Sequence, residues 1–482
     1  MTQNSIKKNY IYNLVYHLLV VFVPIITTPY VSRALHADGI GAHSYTSSVV
    51  NYFALLVNLG IASYGQLQIA KHREEKKSLT TIFFELTAFR LLLTVAVVLV
   101  YLMVVVQNCE ESYKQLYYAH ILYIIGYSLD ITWFLQGLEE FKKIVLRNIV
   151  VKIASVVLIL TFVNNSSDLV IYAILLNGSV LLGNASIWCF VPKYLQKVPL
   201  KEMNILQHIK PCLVYFIPTI STMIYLTLDK TMIGWFSEGA AENGYYEQAH
   251  KIEQMVVTFL TSLSVVMMPR MAYLFKNNLI EEMKKKQHES TQFILLLSFP
   301  MCFGVMVVSD YFVPLFLGPG YDECVLLLKI FSVLLVVVGL NNAVGKQILM
   351  ATGRQNLYNK SVIVGCFVNV ILNLFLIPNY LAVGAAVASV IAESVILILF
   401  VKYANDFICF GWLVKKGYKY LIASVFMFAV VRTSYQFVNM EWCGCLLLCL
   451  LGVFSYLLAV FLLKDYFVLQ HLSKFFKTKK VT

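Results

Sequence analysis

Thr80–Val106, TTIFFELTAFRLLLTVAVVLVYLMVVV, is the stretch that decides what kind of molecule this is. It is apolar almost from end to end. It is also longer than the roughly 20 residues a helix needs to cross about 30 Å of hydrocarbon at about 1.5 Å per residue. Lys71, Arg73, Lys76 and Lys77 precede it, and Asn108–Cys109–Glu110–Glu111 follows it. A basic approach and an uncharged or acidic exit read as a membrane helix that starts in the cytoplasm.

The same ruler applied outward gives about fourteen spans and an all-α polytopic membrane protein. Before the opening stretch they fall near Tyr10–Leu35 and Ser44–Tyr64. After it come Leu116–Phe134, Arg147–Val163, Leu169–Val191 and Cys212–Phe236. The second set lies near Gly244–Met268, Thr291–Leu317, Cys324–Met350, Ser361–Ile377, Val383–Tyr403, Tyr420–Val438 and Cys443–Leu463. Lys7 and Lys8 ahead of an apolar run look like the start of a signal peptide. That run has no small-x-small cleavage site, so it reads as a permanent first span.

Composition agrees. Apolar residues make up 59% and charged residues 13% of the 482, too little polar surface for a soluble protein of this size. The net charge of +12 is distributed among short loops rather than gathered with aromatics, which argues against nucleic-acid binding. None of the ten cysteines forms a CxxC pair or a His-Cys set with metal-ligand spacing, so no metal and no cofactor is expected.

The basic residues set the orientation. Alternate loops carry Lys142 and Lys143; Lys193, Lys197, Lys201 and Lys210; Lys276, Lys284, Lys285 and Lys286; Arg354 and Lys360; and Lys415, Lys416 and Lys419. Both tails are basic, from Lys7 and Lys8 to Lys474, Lys477, Lys479 and Lys480. The opposite loops are short and nearly free of Lys and Arg. Both termini and a basic tail are therefore expected in the cytoplasm of a multi-pass protein, and an even number of spans agrees.

Charges within spans are costly, so they face protein or a water-filled hollow. Arg33, Arg90, Lys230, Lys251, Lys329 and Arg432 are the candidates for a cationic lumen suited to an anionic substrate. Asp229 is the candidate counterion or coupling carboxylate. Lys152 is placed nearer the inner face, where it could snorkel to the interface. Glu247 with Lys251 could be an ordinary i,i+4 pair. Polar stripes add Ser44, Ser48, Asn51 and Asn58 in the second span, Asn177 and Asn184 in the sixth, and Asn369 and Asn373 in the eleventh. Asn51, Asn58, Asn369 and Asn373 are the polar lumen candidates. Amides bind sugar hydroxyls well, and they also glue helices together. Prolines at 24, 29, 218, 269, 300 and 314 interrupt spans, as in transporters that bind or hinge at broken helices. No P-loop, HExxH or GxSxG motif is present and the histidines are scattered, so no enzyme is expected.

Several motifs carry a resemblance. Pro24–Ile25–Ile26–Thr27–Thr28–Pro29–Tyr30–Val31–Ser32–Arg33, then Gly39–Ile40–Gly41 and Ser44–Tyr45–Thr46–Ser47–Ser48, resemble the opening of Wzx-type flippases. Gly60–Ile61–Ala62–Ser63–Tyr64–Gly65–Gln66, Leu228–Asp229–Lys230–Thr231–Met232–Ile233–Gly234, Gly244–Tyr245–Tyr246 and Met350–Ala351–Thr352–Gly353–Arg354 follow the same habit. These flippases form the polysaccharide-transporter branch of the MOP, or MATE-like, exporter superfamily. Glu247–Gln248 departs from the pattern, where small residues are common.

The resemblance implies two six-helix lobes around a central cavity plus two C-terminal helices, here 1–210, 211–405 and 406–482. It implies an undecaprenyl-pyrophosphate-linked oligosaccharide substrate in the bacterial inner membrane. The repeat units would be those of lipopolysaccharide O-antigen, capsule or exopolysaccharide, carried by alternating access. Polysaccharide polymerase and chain-length machinery would be downstream partners. Arg33 and Lys230 fall within matching motifs. Two alternatives stand beside it. A multidrug or cation antiporter of the same superfamily would rely on acidic lumen residues. A membrane-embedded polymerase would need a large outer loop with arginines.

Overall fold

The computed structural model describes residues 3–199, 203–439 and 441–469, with backbone alone for 3–22, 217–219, 221, 222, 224–226 and 265. Lys7, Lys8, Lys201, Pro218 and the basic C-terminal tail from Lys474 to Lys480 therefore lie outside the described side chains. Among the described residues the regular structure is entirely helical, as expected of an all-α polytopic membrane protein. Ten of the described helices are long and apolar enough to cross a membrane.

The chain divides into two compact units, Met1–Gly244 and Tyr245–Thr482. The first opens with α1 (Gln3–Asn58), whose backbone hydrogen bonding runs on through a break at His36, where φ is 55°. Both halves are long enough to span, as the first two spans require. Gly60, at φ 76°, then turns the chain into α2 (Ile61–His72). Next come α3 (Lys76–Tyr101), α4 (Glu111–Ser128), α5 (Thr132–Gly137), α6 (Phe141–Phe162), α7 (Leu169–Ile187) and α8 (Ile209–Phe236). The opening stretch of sequence is α3, prolonged by a π turn at Leu102–Val106.

The second unit holds most of α9 (Ala241–Lys276), then α10 (Ile280–Leu317) and α11 (Asp322–Asn341), which runs on as a π-helix to Met350. It closes with α12 (Gln355–Tyr403), broken at Leu381 (φ 45°), α13 (Phe410–Thr433) and α14 (Trp442–Leu462). Split at their breaks, α1 and α12 supply two spans each. The expected boundary between Ile377 and Val383 is thus the break at Leu381.

Several span ends differ from the sequence reading, and two have a clear local cause. The fourth span, expected to run to Phe134, is α4 followed by a separate short α5. Between them the Asp130 carboxylate accepts the Thr132 N–H at 2.9 Å, an Asx turn that stops one helix and starts the next. α10 begins at Ile280 rather than Thr291. Its first turns are polar and carry Lys284–Glu281 (3.3 Å) and Lys286–Glu289 (2.7 Å) pairs, which support helix but add no hydropathy.

Packing follows the apolar faces. In the first unit α4 lies on α7, and α1 contacts α3, α4, α6 and α8. α8 therefore packs with the first unit. In the second unit α10 is central, touching α11, α13 and α14. The C-terminal helices are tied to it by Tyr456 Oη donating to Leu296 O (2.7 Å) and Gln292 Nε2 donating to Tyr420 Oη (3.0 Å). Arg354 of the Met350–Arg354 motif fastens the end of α12. It donates to Tyr403 O (3.0 Å) and to the Asp406 carboxylate (2.8 Å), which holds that carboxyl below its ordinary range.

Two motif glycines are explained by close approach of backbones. A Cβ on Gly41 would stand 1.7 Å from Ala240 O, and one on Gly244 would stand 2.0 Å from Ala37 O. Because the obstacle is backbone, no side chain can swing aside. Gly41→Val is expected to destabilise the first unit by about 3 kcal/mol, the upper end for overpacking. The check is the yield of monodisperse protein on gel filtration in detergent. A wild-type elution profile and yield would refute the packing.

Candidate functional site

The sequence-predicted charges take separate places. Arg33 is exposed, and its Nη1 donates to Pro29 O of its own helix at 3.3 Å. Arg90 is 3% exposed. It donates to Asn58 Oδ1 at 2.7 Å and to Asp130 O, and Asn58 Oδ1 also accepts the Ala62 N–H at 3.2 Å. These bonds tie α3 to the α1–α2 turn and to the α4–α5 turn. Lys230 is half-buried, its carbonyl accepting from Asn243 Nδ2 (2.9 Å), and Asp229 is buried beside it.

In the second unit Lys251 pairs with Glu247 at 3.1 Å, one helical turn away. Lys329 (2.7 Å) and Arg432 (3.3 Å) share the carboxylate of Asp310. Asn369 and Asn373 are buried, with Asn373 Nδ2 donating to Asn369 Oδ1 at 3.1 Å. The structure thus joins Arg90 with Asn58, and Lys329 with Arg432.

A hollow is present within the first unit. It has a volume of about 410 Å³ and lies among α1, α4, α6 and α7. α6 contributes Arg147, Asn148, Lys152 and Ser155, and α7 contributes Asn177, Ser179 and Asn184. α1 adds His43, Ser47 and Asn51, and α4 adds His120 and Tyr123. Of the lumen candidates drawn from sequence, Asn51 lines it among the described residues. The apolar part of the wall is Val50, Val151, Leu176 and Val180.

Helical period explains the lining. Asn148, Lys152 and Ser155 are four and three residues apart, so they share one face of α6. Asn177 and Asn184, two turns apart, do the same on α7. The polar wall is also held rigidly. Asn177 Nδ2 lies 3.0 Å from His120 Nδ1 and 3.2 Å from Ala119 O, and Asn184 Nδ2 donates to Gly126 O at 2.8 Å. With the Asn177 amide donating to Nδ1, His120 carries its proton on Nε2, which lies 3.0 Å from Thr46 Oγ1. Thr46 Oγ1 in turn donates to Ala42 O at 2.7 Å. The His43 ring packs on His120 (5.4 Å) and on Tyr172 (5.0 Å).

Both cations reach the wall from α6. A Cβ on Gly183 would come 3.2 Å from Arg147 Nη1, so the bare glycine lets the guanidinium lie across α7. α6 begins at Phe141, earlier than the sequence reading places it. Lys152 is consequently halfway along the helix, about 17 Å from its start, rather than near the inner face. A lysine facing lipid at that depth costs about 2.5–3.5 kcal/mol. Lining a polar hollow is what makes the position tolerable. Arg147 and His43 are not among the candidates read from sequence. The signal available for Arg147 is its place beside the α6 stripe of Asn148, Lys152 and Ser155, and for His43 it is the four-residue spacing of His43, Ser47 and Asn51 on α1.

Chemically, the wall offers hydroxyls, amides and imidazoles for a polyhydroxyl ligand, and two cations for an anionic one. None of its lining side chains is a carboxylate.

The chain is a many-span helical bundle with breaks within α1 and α12 and a polar hollow in its first unit. Its fold is that of two solved membrane transporters. It superposes on the lipid II flippase MurJ in an inward closed conformation with TM-score 0.69 at 16% identity, covering 94% of this chain and 97% of that one. On an inward-facing multidrug MATE transporter of the MOP superfamily the TM-score is 0.62 at 13% identity, covering 83% and 94%. The chain belongs to the polysaccharide biosynthesis protein family, whose pattern matches residues 6–275. It is 23% identical over 412 residues to a protein of Escherichia coli (strain K12) named as an O-antigen transporter, covering 84% of this chain and 99% of that protein. It is also 23% identical over 192 residues to a protein of Haloferax volcanii named as a low-salt glycan biosynthesis flippase, covering 40% of each. The resemblance to Wzx-type flippases drawn from the motifs accords with these findings.

Proposed function

We propose that the protein is a flippase that moves lipid-linked oligosaccharide from the cytoplasmic to the outer leaflet of the bacterial inner membrane. The substrate is read as an undecaprenyl-pyrophosphate-linked repeat unit of O-antigen, capsule or exopolysaccharide. The observation that carries this is the hollow lined by Arg147, Lys152 and a wall of amides and hydroxyls, halfway through a membrane helix. Its cations suit a pyrophosphate, its amides and hydroxyls suit sugar, and the prenyl tail stays in lipid. Transport by alternating access of two helical lobes fits a passenger with one polar and one apolar end. No bond is broken, so the protein acts as a transporter and not an enzyme. Polymerase and chain-length machinery would use the delivered unit.

Both termini are assigned to the cytoplasm. Arg33 and Lys230, with Asp229 as counterion or coupling carboxylate, are assigned as secondary contacts along the route. The antiporter reading asks for acidic lumen side chains, and the hollow supplies cations instead.

Deleting the gene is expected to leave lipid-linked repeat units accumulated on the cytoplasmic side and to remove the surface polysaccharide. Restoring the wild-type gene should reverse both. Normal surface polysaccharide in the deletion strain, with no accumulated intermediate, would refute the assignment.

A further inference from the structure

At one end of the second unit lies a larger hollow, about 670 Å³, that plays no part in the proposed transport path. It is formed by the first turns of α10, the first turns of α13 and the segment that follows α14. Its wall is rich in lysine: Lys284, Lys285, Lys415, Lys416 and Lys419. Two of these are engaged. Lys284 pairs with Glu281 (3.3 Å), and Lys419 donates to the carbonyls of Leu463 (2.9 Å) and Lys464 (3.3 Å) at the end of α14.

Lys285, Lys415 and Lys416 have no ion pair or hydrogen bond among the described residues. The nearby acids are occupied. Glu289 takes Lys286 at 2.7 Å, and Asp465 accepts Tyr420 Oη and the Val468 N–H, each at 3.1 Å. An anion seated among these lysines would offset their mutual repulsion.

The surroundings say which anion. The side of the hollow is aromatic, with Trp412 stacked on His288 (4.3 Å, 19°) and Tyr418 and Tyr466 exposed. Aromatic rings beside lysines are the signature of the membrane–water interface. Directly along the helices from this collar, α13 exposes Leu421, Ile422 and Val425, and α14 exposes Phe461, Leu458 and Leu457. A ligand held here would have its charge in the lysine hollow and apolar surface beside it. With the basic loops in the cytoplasm, as proposed above, this end of the helices meets the inner leaflet, where basic pockets between helices hold anionic lipid headgroups.

We propose that this hollow binds the phosphate headgroup of an anionic phospholipid of the inner leaflet, with Lys285, Lys415 and Lys416 as its contacts and the acyl chains along α13 and α14. The proposal is independent of which sugar the protein carries.

The test uses the full-length protein in neutral detergent, followed by thermal unfolding during titration with cardiolipin, phosphatidylcholine or inorganic pyrophosphate. Cardiolipin should raise the midpoint and the other two should not. The triple variant Lys285→Gln, Lys415→Gln, Lys416→Gln should bind cardiolipin at least about tenfold more weakly. Control neutralisation of Lys71, Lys76 and Lys360, equal in charge, should leave the affinity within about twofold. Lys415→Gln alone should weaken binding several-fold, which guards against a folding defect in the triple variant. An undiminished cardiolipin response in the triple variant, or an equal loss in the control, would overturn the proposal. So would a pyrophosphate response matching that of cardiolipin, which would make the ligand a soluble phosphate.

Discussion

Replacing Lys152 and Arg147 together by alanine is expected to cut delivery of lipid-linked sugar to the outer leaflet about a hundredfold, with the protein still present in the membrane at its normal amount. Hydrogen bonds to a charged group are worth about 1.5–3 kcal/mol each. Every 1.4 kcal/mol is a factor of ten, so each cation supplies at least about one decade of substrate stabilisation. Because Arg147 also packs across α7 at Gly183, the amount of protein in the membrane is measured alongside transport. Lys152→Arg keeps the charge and should retain most transport. Surface polysaccharide measured against membrane protein level separates the two effects. Full delivery by the double variant would remove the hollow from the pathway.

Arg90→Ala should do the opposite. Arg90 is buried, and its guanidinium donates to Asn58 Oδ1 and to Asp130 O. Truncation leaves Asp130 O without this donor and Asn58 Oδ1 with the Ala62 N–H alone, and it loosens the ties of α3 to the α1–α2 and α4–α5 turns. Hydrogen bonds from a charged donor are worth about 1.5–3 kcal/mol each, so losing two costs about 3 kcal/mol or more. The expected result is a lower midpoint of thermal unfolding in detergent and less protein in the membrane, while the molecules that do fold transport normally. An unchanged midpoint with lost transport would restore Arg90 to the lumen, where its depth in the third span alone would put it.

The contrast between these two residues shows what a sequence can disclose here. Hydropathy finds the spans because lipid demands helices of one length, and it places the breaks near His36 and Leu381 within a few residues. It cannot see that Asp130 ends α4, because one Asx turn leaves the hydropathy window unchanged. It likewise stops short at Thr291, since the polar first turns of α10 are helical without being apolar. Depth in the membrane flags Arg90 and Lys152 alike, and only the neighbours distinguish them. Arg90 meets an amide and a carbonyl that consume its donors. Lys152 faces a hollow whose other walls come from α1, α4 and α7, and no spacing within α6 announces them. Asn177 and Asn184 are visible as a seven-residue repeat, yet their pairing with α4 needs the fold. The glycines of the Gly39–Ile40–Gly41 and Gly244–Tyr245–Tyr246 motifs are similar. Their recurrence is legible, and their reason, backbone against backbone, is not.

The most direct measurement is transbilayer movement of a lipid-pyrophosphate oligosaccharide in liposomes containing the purified protein. Label is placed in the outer leaflet, and the fraction that becomes protected from an impermeant glycosidase is followed over time. The account predicts rapid protection with the wild-type protein, and a rate near that of empty liposomes for the Lys152→Ala, Arg147→Ala variant. Protection by the variant at the wild-type rate, or none by the wild-type protein under any imposed ion gradient or membrane potential, would contradict it.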